Sequence, residues 1–592
     1  MLQQMKSARG RGITVDTIRA TMVAGRSLAR KVAAVALPAA VAFAGLAAVS
    51  SPSLAAGAAA LYDFSPSLAV AGPVATRVTG CSPGDRPETG LQGQTTLADG
   101  FASRPYSSGP ARAFNCNLEL VGQVTGDGAT LGFQITNRCA YYSQWLEPSL
   151  APVLKHPGVV VVDVTDPAHP KIAGYLPSPA MMSPNESLLV DHPRHLLVGQ
   201  YSNQHKFGTS AIDIYDIADC RHPVLKFSGV IPGVTFHTGD FSRDGKILWT
   251  APSEDLKSDT IYAIDVSDPA HPKVIAHWKP TNPLISRFHN VTVSDDGRIA
   301  YLDEGTHYPS NERHGPSQGM IMLDVSQVQE RKPNPQIRMI GKPLFWTDVT
   351  HGQYQRVMTV KGRKYLWLAD IDSAILPDFV EPTGRRFTGV LAARAYKNHF
   401  VSAAEECREN PGKSAWGYVS IIDVQDPLHP VRVSDIKLQV GEPKNCLAIA
   451  HDPSYSFAYA PRYCDVDDYQ DARMMACSFT NSGIRVFDIR DIYHPREIAY
   501  YKPPAVGTAP RAASMYQTFR DTGVTWGEAK YHTVDATIYP FFAKGGREIW
   551  FTSFDNGFQV IRFSNELLTR EKGLFDRDIT CNGKLRGPHG CS

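Results

Sequence analysis

The sequence has no excess of either charge and none of the short motifs that identify common enzyme classes. Its 60 lysines and arginines almost balance its 58 aspartates and glutamates. No Lys/Arg-rich run follows the first 56 residues, so we expect no nucleic-acid partner, which would require many phosphate contacts. Gly-x-Ser-x-Gly, His-Glu-x-x-His, Walker and dinucleotide-binding patterns are also missing. These absences exclude only the enzymes that such motifs identify.

The ten cysteines include no Cys-x-x-Cys pair. This argues against a zinc ribbon, thioredoxin-like redox chemistry and c-type haem attachment. All ten lie beyond residue 56, and their even number in an exported chain predicts disulfides. Cys581 and Cys591 are expected to close a small loop in the tail, whereas the sequence leaves the other pairings open.

Residues 1–56 have the order of a secretory signal peptide. A basic stretch precedes an uncharged, Ala/Val-rich run from Val32 to Val49, and small residues follow at Ser53-Leu54-Ala55. An uncleaved membrane anchor is the alternative, because the run approaches the ~20 residues that span a bilayer. Its alanine content and internal proline favour cleavage. We therefore expect a secreted or cell-envelope protein, with no transmembrane domain in the mature chain once the leader is removed.

One unit recurs seven times along the chain. The first copy reads Val-Val-Val-Val-Asp-Val-Thr-Asp-Pro-Ala-His-Pro between Val159 and Pro170. The other copies begin at Ile212, Ile261, Met320, Val419, Ile484 and Phe558. The fourth and seventh copies lack the His-Pro ending, so blade boundaries are less clearly marked there.

Each unit contains the pattern of four short strands. β-Branched and aromatic runs are bounded by turn residues, and Asp-Gly joins two apolar runs upstream of the third and fourth copies. Repeats of about 40–50 residues with several strands are typical of propeller blades. The sequence therefore predicts an all-β, seven-bladed β-propeller with four strands in each blade.

The two ends of the repeat array predict how the ring closes. The segment Asn117–Gly122 has the pattern of a fourth strand but no third strand before it, and the last unit stops after its third strand, at Phe563. We expect the N-terminal strand to complete the last blade, which leaves no unpaired edge at the closure.

These repeats resemble the LVIVD-repeat family of secreted and surface bacterial β-propellers. The matching residues are the V/I-x-V/I-x-D-V-x-D-P-x-H/N-P-x-V core and the preceding His-x-V-x-V-S-x-D-G segment, over roughly residues 113 to 570. The resemblance implies the propeller fold and export, and it implies no particular reaction.

The domain prediction follows from these assignments. Residues 1–56 form the leader, 57–112 a low-complexity linker or arm, 113–570 the propeller and 571–592 a cysteine-containing tail. Two long inserts, Ile375 to Ser414 and Pro503 to Tyr531, interrupt the array. Long loops on a repeat scaffold are often functional, so these inserts, the second of which contains Trp526, are candidates for a binding surface.

Two sets of histidines have different interpretations. The set in the Asp-x-x-His-Pro turns is expected to form local hydrogen bonds, because these turns lie on different blades: His169, His222, His271, His429 and His494. In the second set, alignment on the Asp-Gly turns puts His237 and His289 at the entrance of the first strands, with His351 and His532 at roughly the same place. Asn185 and Asn445 take this position in two further blades and are candidate binding residues.

A partial ring of histidines at the mouth of the central channel could bind Zn, Cu, Fe or Ni, because neutral imidazole suits these ions. The channel of a seven-bladed ring is expected to be wide, so that only neighbours such as His237, His289 and His351 could share an ion. The alternative is that each side chain holds an inter-blade loop through a backbone hydrogen bond. Acid–base chemistry from Glu186, Asp240 or Asp452 has no supporting pattern, and the catalytic residues stay unknown.

Two functions compete on this evidence. The first is a secreted or envelope-associated binding module whose loops contact an unknown protein or glycan. The second is a metal-dependent enzyme, a hydrolase or an oxidoreductase, with its histidine cluster at the channel mouth. A purely structural role in the envelope is also compatible with the sequence. Fold alone does not decide between them, because propellers carry many unrelated activities.

Overall fold

The computed structural model describes most of the predicted propeller and part of the segment before it. The described residues are 76–94, 114–144, 155–184, 186–201, 210–252, 260–281, 288–304, 318–346, 351–372, 378–380, 386–388, 408, 417–449, 459–504, 511–515, 537–576, 586–587 and 590–591.

The chain begins its sheet structure with two strands that serve blades formed much later in the sequence, β1 (Phe114–Cys116) and β2 (Leu118–Val124). Blades 1 to 4 then follow in order. Their strands are β3 (Phe133–Ile135), β4 (Cys139–Tyr142), β5 (Val159–Asp163) and β6 (Lys171–Leu176); β7 (Leu188–Asp191), β8 (Leu196–Tyr201), β9 (Ala211–Asp216) and β10 (Val224–Gly229); β11 (Gly239–Phe241), β12 (Ile247–Thr250), β13 (Ile261–Asp265) and β14 (Lys273–Trp278); and β15 (Val291–Val293), β16 (Ile299–Glu304), β17 (Gln318–Asp324), β18 (Arg338–Met339) and β19 (Leu344–Trp346).

Blades 5 to 7 complete the array, and blade 5 carries a small separate hairpin within its insert. Their strands are β20 (His351–Val360), β21 (Arg363–Asp372), the hairpin β22 (Asp378–Val380) and β23 (Arg386–Thr388), β24 (Val419–Asp423) and β25 (Val431–Ile436); β26 (Pro461–Val466), β27 (Met474–Phe479), β28 (Gly483–Asp488) and β29 (Arg496–Lys502); and β30 (Thr537–Ala543), β31 (Glu548–Ser553) and β32 (Gly557–Phe563), with the tail hairpin β33 (Arg586–Gly587) and β34 (Gly590–Cys591).

Helices are few and short among the described residues. The α-helices are Ser326–Gln329, Cys446–Ile449 and Asn565–Arg570. The 3-10 helices are Pro179–Met182, Gln439–Gly441, Pro443–Asn445, Thr480–Ser482 and Lys572–Leu574. The first α-helix follows β17, in the place that the Asp-Pro-x-His-Pro turn takes in other blades, which explains why the fourth repeat lacks that motif.

The ring closes as the sequence predicts. In the described part of the chain, seven antiparallel sheets contain at least four strands each. The first strand of every blade contacts the first strands of the two neighbouring blades, and the circuit ends with β30 against β3. Strand β2 pairs with β32 from Leu118 opposite Phe563 to Val124 opposite Phe558, so the N-terminal strand completes blade 7. Strand β1 adds a fifth strand to blade 6 by pairing with β29.

The third strands are hydrophobic on both faces because each blade is packed between two others. In β5 the four valines are all buried, and β24 and β28 are buried along their whole length. A strand with one face in water would instead alternate apolar and polar residues. The radial stacking of sheets therefore explains the Val/Ile-rich runs that identify the repeat.

The recurring Asp-x-x-His-Pro turn is stabilised by its own side chains. His169 Nδ1 lies 2.8 Å from Asp166 Oδ2, and Asp166 Oδ1 accepts the amide hydrogen of Ala168 at 3.0 Å. The same His–Asp pair occurs at His222, His271, His429 and His494, with nitrogen–oxygen distances between 2.7 and 3.1 Å. These histidines are largely exposed, so the prediction of a local structural role is confirmed.

Three disulfides join described cysteines: Cys81–Cys116, Cys139–Cys220 and Cys464–Cys477. They link the arm to β1, blade 1 to blade 2, and the two inner strands of blade 6. These bonds indicate an oxidising, extracytoplasmic environment. Within the described residues, no helix has the length and apolar character needed to cross a bilayer.

The described part of the arm, residues 76–94, is fixed to blade 6 by a buried charge cluster. Arg485 Nη2 lies 2.6 Å from Glu88 Oε2, and Arg485 Nη1 lies 3.0 Å from Glu497 Oε1. Gln92 Nε2 donates to Glu497 Oε2 at 2.9 Å. Such a cluster stays buried only when its charges are paired and hydrogen-bonded, and here the arm supplies two of the four groups.

The closing strand offers a direct test of the ring. Leu118 is fully buried and Leu120, two residues further along β2, is 42% exposed. We expect Leu118→Ala to destabilise the protein by ~2–5 kcal/mol, through lost burial and a residual cavity, and Leu120→Ala by less than ~1 kcal/mol. Urea unfolding followed by tryptophan fluorescence measures both, and equal effects of the two substitutions would contradict closure through β2.

Candidate metal centre

Three consecutive blades place acidic or imidazole side chains at the same level of the ring. The residue at the turn that follows the first strand is Asp191 in blade 2, Ser242 in blade 3 and Ser294 in blade 4, as their pairing with the second strand shows. Five residues before each turn residue lie, in the same order, Glu186, His237 and His289. The first strands are innermost, so equivalent positions on them converge near the axis of the ring.

The three side chains meet at one point. His237 Nε2 lies 2.9 Å from Glu186 Oε1, His289 Nε2 lies 3.1 Å from the same oxygen, and the two nitrogens are 3.0 Å apart. The exposed fractions are only 4% for Glu186, 1% for His237 and 5% for His289. The triangle of these atoms, which we call the axial triangle, is therefore nearly equilateral and shielded from water.

Hydrogen bonding cannot satisfy all three edges of the axial triangle. If both nitrogens carry hydrogen and donate to Glu186, two N–H groups face each other at 3.0 Å. If one nitrogen carries a lone pair instead, that lone pair faces the carboxylate oxygen. Either way one edge is repulsive. A cation near the centre removes the conflict, because all three atoms then direct lone pairs at a positive charge.

Residues of blade 6 reach the axial triangle from the opposite side of the ring. Tyr463 Oη donates to Glu186 Oε2 at 2.6 Å, and Arg462 Nη2 lies 3.4 Å from that oxygen. Blade 6 and blade 2 are not neighbours, so this contact crosses the axis. The expectation of a channel too wide for distant blades to meet is wrong at this level. Long side chains fill the centre.

The surroundings of the site determine the protonation state of Glu186, Tyr463 and Arg462. Burial would raise the pKa of Glu186, but the two histidines outweigh this effect and hold that pKa well below the usual range. Burial and the neighbouring Glu186 raise the pKa of Tyr463 well above its usual value, so the phenol keeps its proton. Burial would lower the pKa of Arg462, but Tyr463 and Glu186 raise it. The site therefore contains a carboxylate, a neutral phenol and a guanidinium.

Aromatic rings form one wall beside the axial triangle. Tyr463 stacks on Tyr539 with ring centroids 3.5 Å apart, and Tyr354 meets both rings edge-on at 5.6 and 5.4 Å. By the register of blade 5, where Thr359 lies opposite Lys364, Tyr354 takes the position of the axial histidines. Tyr539 has a φ of 25° at a bulge in β30. Such backbone strain persists only where the surroundings impose it.

A second buried network lies next to this wall. Arg356 Nη1 donates to Asp240 Oδ1 at 3.0 Å, and its Nη2 donates to Tyr354 Oη at 2.7 Å. Asp240 also accepts the hydroxyl hydrogen of Thr292 at 2.6 Å. Asp240, considered above for acid–base chemistry, is thus engaged in an ion pair with Arg356 that links blades 3 and 5.

The structure brings His237 and His289 together and adds Glu186, while several predicted site residues fall outside the described residues. Asn185, Asp452, Trp526, His532 and Cys581 are not described, and of His351 and Cys591 only the backbone is, in β20 and β34. Their assignments stay predictions. Asn445 ends a 3-10 helix and donates to Gln439 O at 2.8 Å.

The sequence analysis placed Asn185, and not Glu186, at the position of the axial histidines for an identifiable reason. Blade 2 has Asp-His-Pro where blades 3 and 4 have Asp-Gly in the hairpin, so alignment on Asp-Gly selected the adjacent Asn185. Glu186 lies 30 residues before Asp216 of its repeat core, whereas His237 and His289 lie 28 and 35 residues before Asp265 and Asp324, so counting from the repeat core gives no common position either. For Tyr463 and Arg462 the sequence carries no signal, because their reach depends on a bulge in β26 between Pro461 and Tyr463.

One other group of potential ligands among the described residues has a different explanation. Cys81, Asp85 and Cys116 lie close enough to hold an ion, but the two cysteines form a disulfide. Asp85 Oδ2 accepts backbone hydrogens from Ser82 and Asn117. This group fixes the arm to β1 and is not a metal site.

Comparison with known proteins identifies similar folds only. No protein-family model and no curated protein matches the chain, so the similarity to LVIVD repeats stays a resemblance. Hydrazine synthase from Kuenenia stuttgartiensis aligns at 11% identity and a TM-score of 0.40, over 75% of this chain and 97% of its own. A putative 6-phosphogluconolactonase from Bacteroides uniformis aligns at 11% and 0.42, over 73% and 94%. The periplasmic gluconolactonase of Pseudomonas aeruginosa aligns at 10% and 0.40, over 76% and 100%.

A buried carboxyl group beside the aromatic wall predicts a pH dependence of stability. Burial raises the pKa of Asp465 from 3.8 to about 7, and its partners are Tyr469 Oη and the amide of Phe542, each at 2.9 Å. The folded protein holds this proton up to about pH 7, whereas the unfolded chain loses it near 3.8. The contribution of Asp465 to the free energy of unfolding therefore falls as pH rises from 4 to 7 and is level above.

Asp465→Asn should remove this component, because an amide resembles the protonated acid: its oxygen can accept from the amide of Phe542, while its NH2 group can donate to Tyr469 Oη. We expect the variant to gain stability relative to the wild type between pH 5 and pH 8, by on the order of 1–4 kcal/mol. Urea unfolding at each pH measures the difference. A difference that does not change with pH would show that Asp465 is ionised throughout.

Proposed function

We propose that the protein is an extracytoplasmic β-propeller that binds one divalent transition-metal ion at the axial triangle. The observation that carries this proposal is the convergence of Glu186 Oε1, His237 Nε2 and His289 Nε2 within 2.9 to 3.1 Å of one another in a buried site. Three blades supply one ligand each, at equivalent positions. A local structural role could explain each of these residues on its own. It would not explain why three atoms that carry lone pairs converge on one point.

The ligand set favours a transition metal over calcium or magnesium. Two imidazoles and one carboxylate suit Zn, Fe, Cu or Ni, whereas calcium and magnesium prefer oxygen ligands alone. Bonds of about 2.1 Å to three atoms about 3.0 Å apart give angles near 90° at the ion. The triangle thus matches one face of an octahedron, and further positions on the ion are left for other ligands.

A binding role is the leading interpretation, with the ion as ligand or as the anchor for one. The envelope partner expected from the sequence, a protein or a glycan, remains part of this proposal. The second candidate is a metal-dependent enzyme. It is favoured by the two-histidine, one-carboxylate ligand set, which leaves positions open on the ion, as catalytic sites require.

Metal content tests the proposal. Protein purified without a histidine tag, loaded with Zn, Fe, Cu or Ni and dialysed, should retain about one equivalent of an ion, because three preformed ligands bind it together. His289→Ala should retain less than a tenth of an equivalent. Elemental analysis by mass spectrometry provides the measurement.

His271→Ala is the matched control, because it removes an imidazole from an exposed turn of the same propeller and should leave metal content unchanged. Circular dichroism establishes that both variants are folded. Wild-type protein that retains less than a tenth of an equivalent of every ion tested would refute the proposal. Equal metal loss in both variants would also count against it.

A further inference from the structure

The position of Arg462 extends the metal proposal to the chemistry of a second ligand. Its side chain is 4% exposed and its Nη2 lies 3.4 Å from Glu186 Oε2. That oxygen belongs to the carboxylate whose other oxygen completes the axial triangle. The buried guanidinium of Arg462 therefore lies next to the proposed ion, separated from it by the Glu186 carboxylate. It reaches this place because blade 6 lies across the axis from blade 2.

The charges of the site do not balance once an ion is bound. With both imidazoles neutral, as metal ligands must be, the charged groups described at the axial triangle are one carboxylate, Glu186, and one guanidinium, Arg462, which cancel. A divalent ion raises the total to +2 in a site whose ligands are at most 5% exposed. Buried charge is costly unless it is paired, so the loaded site requires negative charge from outside this set.

The geometry also determines which positions on the ion are open. Tyr463 donates to Glu186 Oε2 at 2.6 Å, which favours coordination through Oε1 alone. Three protein ligands on one face of an octahedron leave the opposite face to exogenous groups. Arg462 is a planar donor that can hold two oxygens of one oxyanion.

On the basis of the proposed metal site, we propose that the propeller binds a small oxyanion, coordinated to the ion through one oxygen and held by Arg462 through another. Carboxylates and phosphates share this chemistry, and the two are separated by experiment. The anion would supply the negative charge that the loaded site lacks.

Cobalt substitution makes the second ligand visible. Wild-type protein loaded with Co²⁺ is titrated separately with acetate and inorganic phosphate, while the visible absorption of the ion is recorded. We expect a saturable spectral change with at least one of them, and its apparent dissociation constant should rise at least tenfold in Arg462→Met. Saturation by only one anion assigns the class. Chloride, which offers a single atom and feels only the charge of Arg462, should lose less affinity in Arg462→Met than the oxyanion does.

Two further variants make the result specific. Arg473→Met changes a guanidinium on the same blade that pairs with Asp576, and it should bind the oxyanion as wild type does. Arg462→Lys keeps the charge without the planar pair of donors, so its affinity should lie between those of wild type and Arg462→Met. This variant decides the question if Arg462→Met does not fold.

Cobalt content, measured on the same samples, separates the two proposals. A loaded protein whose spectrum responds to neither oxyanion, or whose Arg462 variants bind the oxyanion like wild type, overturns the oxyanion site and leaves the metal site standing. A wild-type protein that takes up no cobalt and no other transition metal overturns both.

Discussion

The hydrogen bonds between β2 and β32 complete the last blade and close the ring, and the axial site depends on that closure. With seven sheets closed on themselves, Glu186 of blade 2 lies within 3.4 Å of side chains from blades 3, 4 and 6 at the centre. An open array of the same repeats would separate blade 2 from blade 6 by three intervening sheets. Closure also buries Glu186 and Arg462. Their electrostatic interaction is stronger in this interior than it would be on a solvent-exposed surface, because the dielectric constant is lower.

Much of the fold can be predicted from the sequence because its determinants are local and repeated. The valine run of β5 and the Asp-Gly turns each identify one strand or hairpin, and seven copies leave little ambiguity. The orphan strand at Leu118 and the missing fourth strand after Phe563 predict the closure together. The helix Ser326–Gln329 shows the limit, because a blade can replace its turn without losing its third strand.

The site is less predictable because it depends on distances between residues far apart in the sequence. His237 and His289 follow from aligning repeats, since both precede an Asp-Gly hairpin by the same count. Glu186 precedes a different type of turn, so alignment on the Asp-Gly turns selected its neighbour, Asn185. Tyr463 approaches Glu186 across 277 residues of sequence, and the bulge in β26 that directs it has no sequence signature. The repeat pattern thus predicts which residues occupy equivalent positions in the blades. The bulges, which it does not predict, determine which of their side chains come into contact.

The meeting of Glu186 with Tyr463 and Arg462 has a consequence for biogenesis. Glu186 and both imidazoles precede blade 6 in the sequence, and β2 can pair only after the last hairpin has formed. A ligand that contacted both Glu186 and Arg462 would therefore be bound only after the whole ring had folded. Incompletely folded molecules would lack the contacts of Tyr463 and Arg462, and only the closed ring would present the complete site.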